Sequence, residues 1–557
     1  MSGAGVGKAG GGRPGNRVVI AALCFATVFA GMSARLLQYG FDETTGSARA
    51  ASRLSTLASR PDLTDRNGRL LATDVRTASL FAEPRRIVDA DEAVEALTRV
   101  FPDLDAERTR RRLSSNAGFV WLKRELTPRQ QNAIHDLGIP GVYFRAENRR
   151  FYPSGSTTSH VVGHVDVDNN GIAGFEQFVD GEGLSALADA GLSFDEDMEP
   201  VALSVDLRVQ HVLHDELSRA IRRYRAIAAG GVVLNARTGE VLGMVSLPDY
   251  DPNNPVDALK DDRLNRMSAG AYEMGSTFKA FTTAMALDAG HITLNDGFDA
   301  TKPIRIGGHR IRDFHAKRRW LTVPEVFIYS SNIGTAKMAD LVGIAGHRLF
   351  VEKLGLLDLL RTELPERARP SGPTEWKKIH SVTISFGHGL TTTPLQTAVA
   401  GAAMLNGGKL IPPTFRPRTE AEADMIAKQV LQGQTSQDMR YLFRLNVEKG
   451  SGKRADVPGY NVGGKTGTAE KVVNGRYDSS VRFNAFLGGF PMHDPEYIVL
   501  IVIDEPKPER GKKSATAGTN AAPVTGNVIR RIAPILGIEP QFDNEGTRKL
   551  LNAAYLR

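Results

Sequence analysis

Ser276 and Lys279 stand three residues apart in the run Gly275-Ser276-Thr277-Phe278-Lys279, the spacing that makes two side chains neighbours on a helix. A serine hydroxyl is a weak nucleophile until a base takes its proton, and a lysine serves as that base only when burial or a nearby cation drives its pKa down. The pair therefore reads as nucleophile and general base for acyl transfer. Taken alone, the pattern also fits a helix-opening serine followed by a solvated lysine. Far downstream, Lys465-Thr466-Gly467-Thr468 offers a cation and two hydroxyls to a carboxylate. Gly467 lacks a Cβ, so a peptide can approach and pair with a strand edge there. A peptide with a free C-terminus is the substrate this favours. The charge of Lys465, if close to Lys279, would help keep that amine neutral.

A rival chemistry shares these residues. Gly459 to Thr466 fits the phosphate-loop pattern, and Ile498 to Ile503 followed by Asp504-Glu505 resembles a strand ending in a magnesium-binding acid. A phosphate loop must follow a buried strand and open a helix. Here a polar, Pro-containing stretch precedes it, and two valines and Asn474-Gly475 follow, which predicts a strand turning into a hairpin. The nucleotide-hydrolase reading is therefore the weaker one. His160 and His164 have the spacing of a metal pair but no glutamate between them, and no metal ion or cofactor is expected. His388 reads as structural. No Gly-x-Ser-x-Gly elbow is present, which excludes the α/β-hydrolase arrangement.

The elements that must position these residues are legible in outline. Phe278, Phe281 and Met285 predict a one-faced helix opening at Ser276, with Gly290 placed to end it. Runs such as GGVVLNA and YIVLIVID read as strands alternating with amphipathic helices, as in an α/β or α+β domain. The chain of 557 residues, 41% apolar and 24% charged, is long enough for several domains and ordinary for a globular protein. Its net charge of +7 is spread without a basic tract, so nucleic acid is not an expected partner. A single cysteine, Cys24, excludes an intramolecular disulfide or a cysteine-ligated zinc site. Val18 to Ala34 is uncharged, and Lys8, Arg13 and Arg17 precede it without an acid; this predicts an uncleaved anchor with a cytoplasmic N-terminus. The expected layout is a cytoplasmic tail (1–17), a transmembrane anchor (18–37), a stalk (38–60), a mixed α/β pedestal (61–198), a catalytic domain (199–540) and a tail (541–557).

Ser330-Ser331-Asn332 supplies the remaining element of the Ser-x-x-Lys, Ser-x-Asn, Lys-Thr-Gly set of penicillin-binding proteins and class A β-lactamases, in the required order. Ser114-Ser115-Asn116 has the same letters but lies upstream and reads as a turn. With LTDRNGRLLA, WLKREL and RRFYPSGSTTSHVVGHVDVDNNGIAGFE in the first module, and TGEVLGMVSLPDYDPN, YEMGSTFK, YSSNIG, FGHGLTTTPLQ and GGKTGTAEK in the second, the chain resembles the class B penicillin-binding proteins of Gram-negative cell division. Met274 stands where the family commonly has proline, and Pro61 where glycine is usual; neither carries a reacting group.

The resemblance implies an α+β multidomain fold, with a dimerisation-type pedestal and a β-lactamase-like domain whose antiparallel sheet is flanked by helices. It implies a septal peptidoglycan D,D-transpeptidase in the inner membrane, single-pass, with its catalytic domain in the periplasm. An elongation-type transpeptidase or a D,D-carboxypeptidase on the same fold is the alternative. Ser276 would attack the penultimate D-Ala carbonyl of a stem peptide, with Lys279 as base, Ser330 relaying the proton and Asn332 holding the substrate amide. Lys465, Thr466, Gly467 and Thr468 would bind substrate. The oxyanion would lie between the N–H groups of Ser276 and Thr468, a contribution of roughly 3–4 kcal/mol for one such donor. β-Lactams would acylate Ser276. A membrane glycan polymerase and other division proteins are the implied partners.

Overall fold

The computed structural model describes residues 27, 29–30, 32–33, 60–184, 199–306, 308–512 and 514–542. The expected anchor at 18–37 lies almost entirely outside them, as do nearly all of the tails and the stalk. Among the described residues no helix is long and apolar enough to cross a membrane.

The chain forms two compact units. In the unit holding residues 78–148, the outer part of strand Leu70–Ala82 pairs antiparallel with Val120–Leu126. Helices Ala90–Val100, Ala106–Leu113 and Pro128–Leu137 accompany these strands. Leu80, Val94, Leu97, Leu113, Leu126 and Ile134 make the core. Asp89 and Asp105 cap the first two helices and a Thr127–Gln130 box caps the third, so each helix start has at least one of its free N–H groups satisfied locally. Ser114 closes the Arg-rich helix, which makes Ser114-Ser115-Asn116 a helix terminus.

The other unit, residues 59–77 and everything from 149 on, carries the sequence motifs. Its centre is a five-stranded antiparallel sheet: β1 (Ala228–Asn235), β2 (Val241–Leu247), β3 (Gly463–Val473), β4 (Arg476–Phe490) and β5 (Tyr497–Asp504), in the order β3-β4-β5-β1-β2. All of β5 is buried. Ile498, Leu500 and Val502 enter one core, and Val499, Ile501 and Ile503 the other, because successive side chains of a strand point to opposite faces. An unbroken apolar run is what a strand covered on both faces requires. Helices α1 (Leu207–Tyr224) and α6 (Ala521–Ile532) cover one face. The opposite core takes in α2 (Phe278–Asp288), α4 (Pro394–Leu405) and α5 (Gly433–Lys449), and α3 (Asn332–Lys353) packs on α2.

One local expectation changes and another holds. Helix α2 is buried on every side from Phe278 to Leu287, not one-faced: its alanines and threonines, small enough to pass as a polar face by spacing, let neighbouring elements close around it. Gly464-Lys465-Thr466 sits inside β3, and Asn474-Gly475 turns into β4 with both φ values positive, as a two-residue hairpin demands. The phosphate-loop geometry is thereby removed, and Asp504 is occupied by an ion pair to Lys471 at 3.0 Å.

Candidate active site

Ser276 stands in a single tight turn, Gly275–Thr277, that leads into α2. Gly275 has φ +52° and its N–H donates to the Gly387 carbonyl at 3.2 Å, while the Thr277 hydroxyl donates to the Met274 carbonyl at 2.7 Å. The turn lies against β3: a Cβ on Gly467 would fall 2.5 Å from the Met274 carbonyl oxygen and 2.7 Å from Thr277 Cγ2. The glycine of the Lys-Thr-Gly element is thus required by the nucleophile turn, a reason different from the peptide approach read from sequence.

Ser330 follows Tyr329, which caps the short helix Val323–Ile328, and has φ +56°, a conformation costly for a residue with a Cβ. Asp313 holds the next residues in place. Its carboxylate accepts from the Ser331 hydroxyl at 2.8 Å and the Ile333 N–H at 2.9 Å, while Ser331 caps α3 through the Gly334 N–H. Asn332 Nδ2 donates to the Arg312 carbonyl at 2.7 Å.

Two lysines meet at Ser330. Lys279 Nζ donates to the Ser330 carbonyl at 2.5 Å and lies 3.1 Å from its hydroxyl oxygen; Lys465 Nζ lies 3.0 Å from the same oxygen. Both side chains are buried. Burial pushes the Lys279 amine well below its ordinary pKa, the charge of Lys465 pushes it further, and Asp313 opposes both. Burial alone brings Lys465 down to about 7. The requirement for an unprotonated base is therefore met by low dielectric first and by the neighbouring cation second. Helical spacing makes Lys279 a neighbour of Ser276, and its amine hydrogen-bonds to Ser330.

Ser276, Lys279, Ser330, Asn332, Thr466 and Thr468 all line one cleft of about 560 Å³, within the ordinary range for a ligand pocket. Gly467 is buried within β3 and Lys465 lies against Ser330; neither is in the lining. The Thr466 hydroxyl pairs with Ser451 at 2.6 Å, and Thr468 Oγ1 accepts from the Ala517 N–H at 3.1 Å. Sequence reasoning missed Asp313, Ser451, Glu470 and His388, although all but Asp313 line the cleft. His388 was read as structural; burial holds its imidazole below the usual range, and the charges of Glu273, Lys279 and Glu470 act on it. His160 and His164 lie elsewhere, bonded to the Arg263 carbonyl and Tyr250 hydroxyl.

Residues 229–530 match the penicillin binding protein transpeptidase domain, and residues 55–177 the penicillin-binding protein dimerisation domain. The chain belongs to the class B penicillin-binding proteins. It is 43% identical to a probable peptidoglycan D,D-transpeptidase FtsI of Caulobacter vibrioides, over 86% of this chain and 82% of that protein. It is 30% identical to the peptidoglycan D,D-transpeptidase FtsI of Escherichia coli, over 90% and 88%. In fold, it is similar to penicillin binding protein 3 of Mycobacterium tuberculosis, solved with aztreonam: TM-score 0.66, 22% identity, covering 87% of this chain and 98% of that one. Both matched domains of a class B penicillin-binding protein are therefore present.

Proposed function

We propose that this chain, a peptidoglycan D,D-transpeptidase of the cell-division kind, joins stem peptides through an acyl-enzyme on Ser276. Lys279 takes the Ser276 proton as Oγ attacks the penultimate D-Ala carbonyl. The C–N bond to the terminal D-Ala then breaks. Ser330 gives its hydroxyl proton to the departing amine and is reprotonated by Lys279 along the 3.1 Å contact between them. Asn332 holds the substrate amide, and Thr466 and Thr468 bind the terminal carboxylate. Lys465 acts from beside Ser330, favouring the neutral form of Lys279. In an antiparallel strand a residue's N–H and C=O point to one side. The Thr468 carbonyl lies against Gly275, 2.8 Å from where a Cβ would stand, so its N–H faces the nucleophile turn and complements that of Ser276 as an oxyanion site.

The observation that carries this reading is the meeting of two buried amines at the hydroxyl of Ser330, a residue that lines one cleft with Ser276. β-Lactams acylate the same serine. Residues 18–37 anchor the chain in the inner membrane with the catalytic domain in the periplasm; the uncharged run and the basic residues before it support this. The first module contacts a glycan polymerase and other division proteins. The test is fluorescent-penicillin labelling of wild type against Ser276→Ala: labelling is expected to vanish while thermal unfolding stays unchanged, and a labelled mutant would remove the nucleophile assignment.

A further inference from the structure

Resolution of the acyl-enzyme by a second stem requires an amine that enters the cleft as an ammonium ion and leaves as an amide nitrogen. The donor end of the cleft carries hydroxyls (Ser451, Thr466, Thr468) and Arg454, groups suited to a carboxylate. Four residues along β3 from Thr466, roughly 13 Å at about 3.3 Å per residue, the lining changes to Glu470 and His388. We propose that Glu470 and His388 form the acceptor subsite of this cleft, binding the ammonium group of the incoming stem peptide beside Ser276. This rests on the transpeptidase reading and deepens it.

The placement follows from the fold. His388 belongs to the Gly387-His388-Gly389 loop, whose Gly387 carbonyl accepts from the Gly275 N–H, so its backbone is held one residue from the nucleophile turn and its side chain lines the cleft with Ser276. The loop must lie this close, since a Cβ on Gly387 would overlap the Gly275 carbonyl. Tyr477 packs edge-on against His388 at 5.5 Å and donates to Glu273 at 2.9 Å. Glu273 also accepts from the Gly389 N–H at 2.7 Å, which fixes the loop. Glu470 makes no ion pair among the described residues; Arg482, its register partner on β4, lines the same cleft. The His388 Nδ1 is buried without a hydrogen-bond partner. The imidazole feels the charges of Glu273, of Lys279 on α2 and of Glu470.

The chemistry balances. The bound ammonium gives one proton to the neutral imidazole, and the positive charge stays among the same carboxylates. The free amine attacks the acyl carbon, the C–N bond forms and the ester bond to Ser276 Oγ breaks. The second proton from nitrogen passes to Oγ, and His388 returns its proton to water.

The experiment follows the fate of the acyl-enzyme formed from a D-alanyl thioester in the full chain, with D-alanine as acceptor. In wild type, the ratio of aminolysis to hydrolysis saturates with D-alanine concentration; a strictly linear dependence would overturn the subsite without any mutant. In Glu470→Gln and His388→Gln the ratio with D-alanine falls about tenfold, the loss of one charge-assisted contact, whereas the ratio with hydroxylamine, which is neutral at assay pH, is retained. An unchanged D-alanine ratio in both variants, or an equal loss with both nucleophiles, refutes the proposal. Failure of wild type to form any acyl-enzyme would instead refute the transpeptidase reading itself.

Discussion

Lys279 and Lys465 approach one oxygen, the hydroxyl of Ser330, from 3.1 and 3.0 Å. Two ammonium ions this close repel strongly in a buried site, so the arrangement favours a proton on no more than one of them. Lys279 is pushed down by Lys465 and up by Asp313, and these influences are separable. Acylation by penicillin requires Lys279 neutral, so the rate rises with pH through its pKa. Asp313→Asn removes the opposing anion and moves that rise to lower pH. Lys465→Met removes the helping cation and moves it to higher pH. Second-order acylation rates against pH for the three proteins check this; profiles of both variants that coincide with wild type would show that burial alone sets the base.

The same burial carries a cost in stability, and its pH dependence has a definite sign. Lys465 titrates at about 7 in the fold and near 10.4 when unfolded. Between these values the unfolded chain holds more protons, so wild-type stability rises with pH, by up to about 1.4 kcal/mol per unit; below about 7 both states are charged and the full penalty stands. Lys465→Met lacks this climb. Urea unfolding at pH 7 and pH 9.5 is expected to show the variant ahead by roughly 1–3 kcal/mol at the lower pH, with the gap shrinking at the higher. A constant gap would mean that Lys465 is not the group being titrated.

The reacting set was legible because each member sits in a short contiguous motif whose letters carry the chemistry, and β1 and β5 were legible because burial on two faces leaves unbroken apolar runs. What stayed hidden depends on approach between distant segments. Helical spacing put Lys279 beside Ser276, but only the fold shows its amine crossing to Ser330. Asp313 lies in an irregular stretch with no periodic signal, yet it fixes Ser331 and Ile333. His388 offered one histidine in a glycine-rich loop, and only the Gly275–Gly387 hydrogen bond brings that loop to the nucleophile. α2 misled because alanine and threonine serve equally on a solvent face and in a tightly closed core.

Gly467 is the sharpest case of a residue whose job is visible only in three dimensions. Its missing side chain leaves room for the Met274 carbonyl and Thr277, which an added Cβ would meet at 2.5 and 2.7 Å. Both lie in or next to the turn that aims Ser276, and the Met274 carbonyl is the acceptor of the Thr277 hydroxyl, so neither can move alone. Gly467→Ala must push the turn off β3. The strain of such overpacking is about 1–3 kcal/mol, a modest fall in thermal stability. Displacing the nucleophile by about 1 Å costs on the order of 10²-fold in rate. Penicillin acylation of Gly467→Ala is therefore expected to drop far more than its folding, with the rise of rate against pH left in place because Lys279, Lys465 and Asp313 are untouched. An alanine variant that acylates at the wild-type rate would show that the turn does not depend on contact with β3.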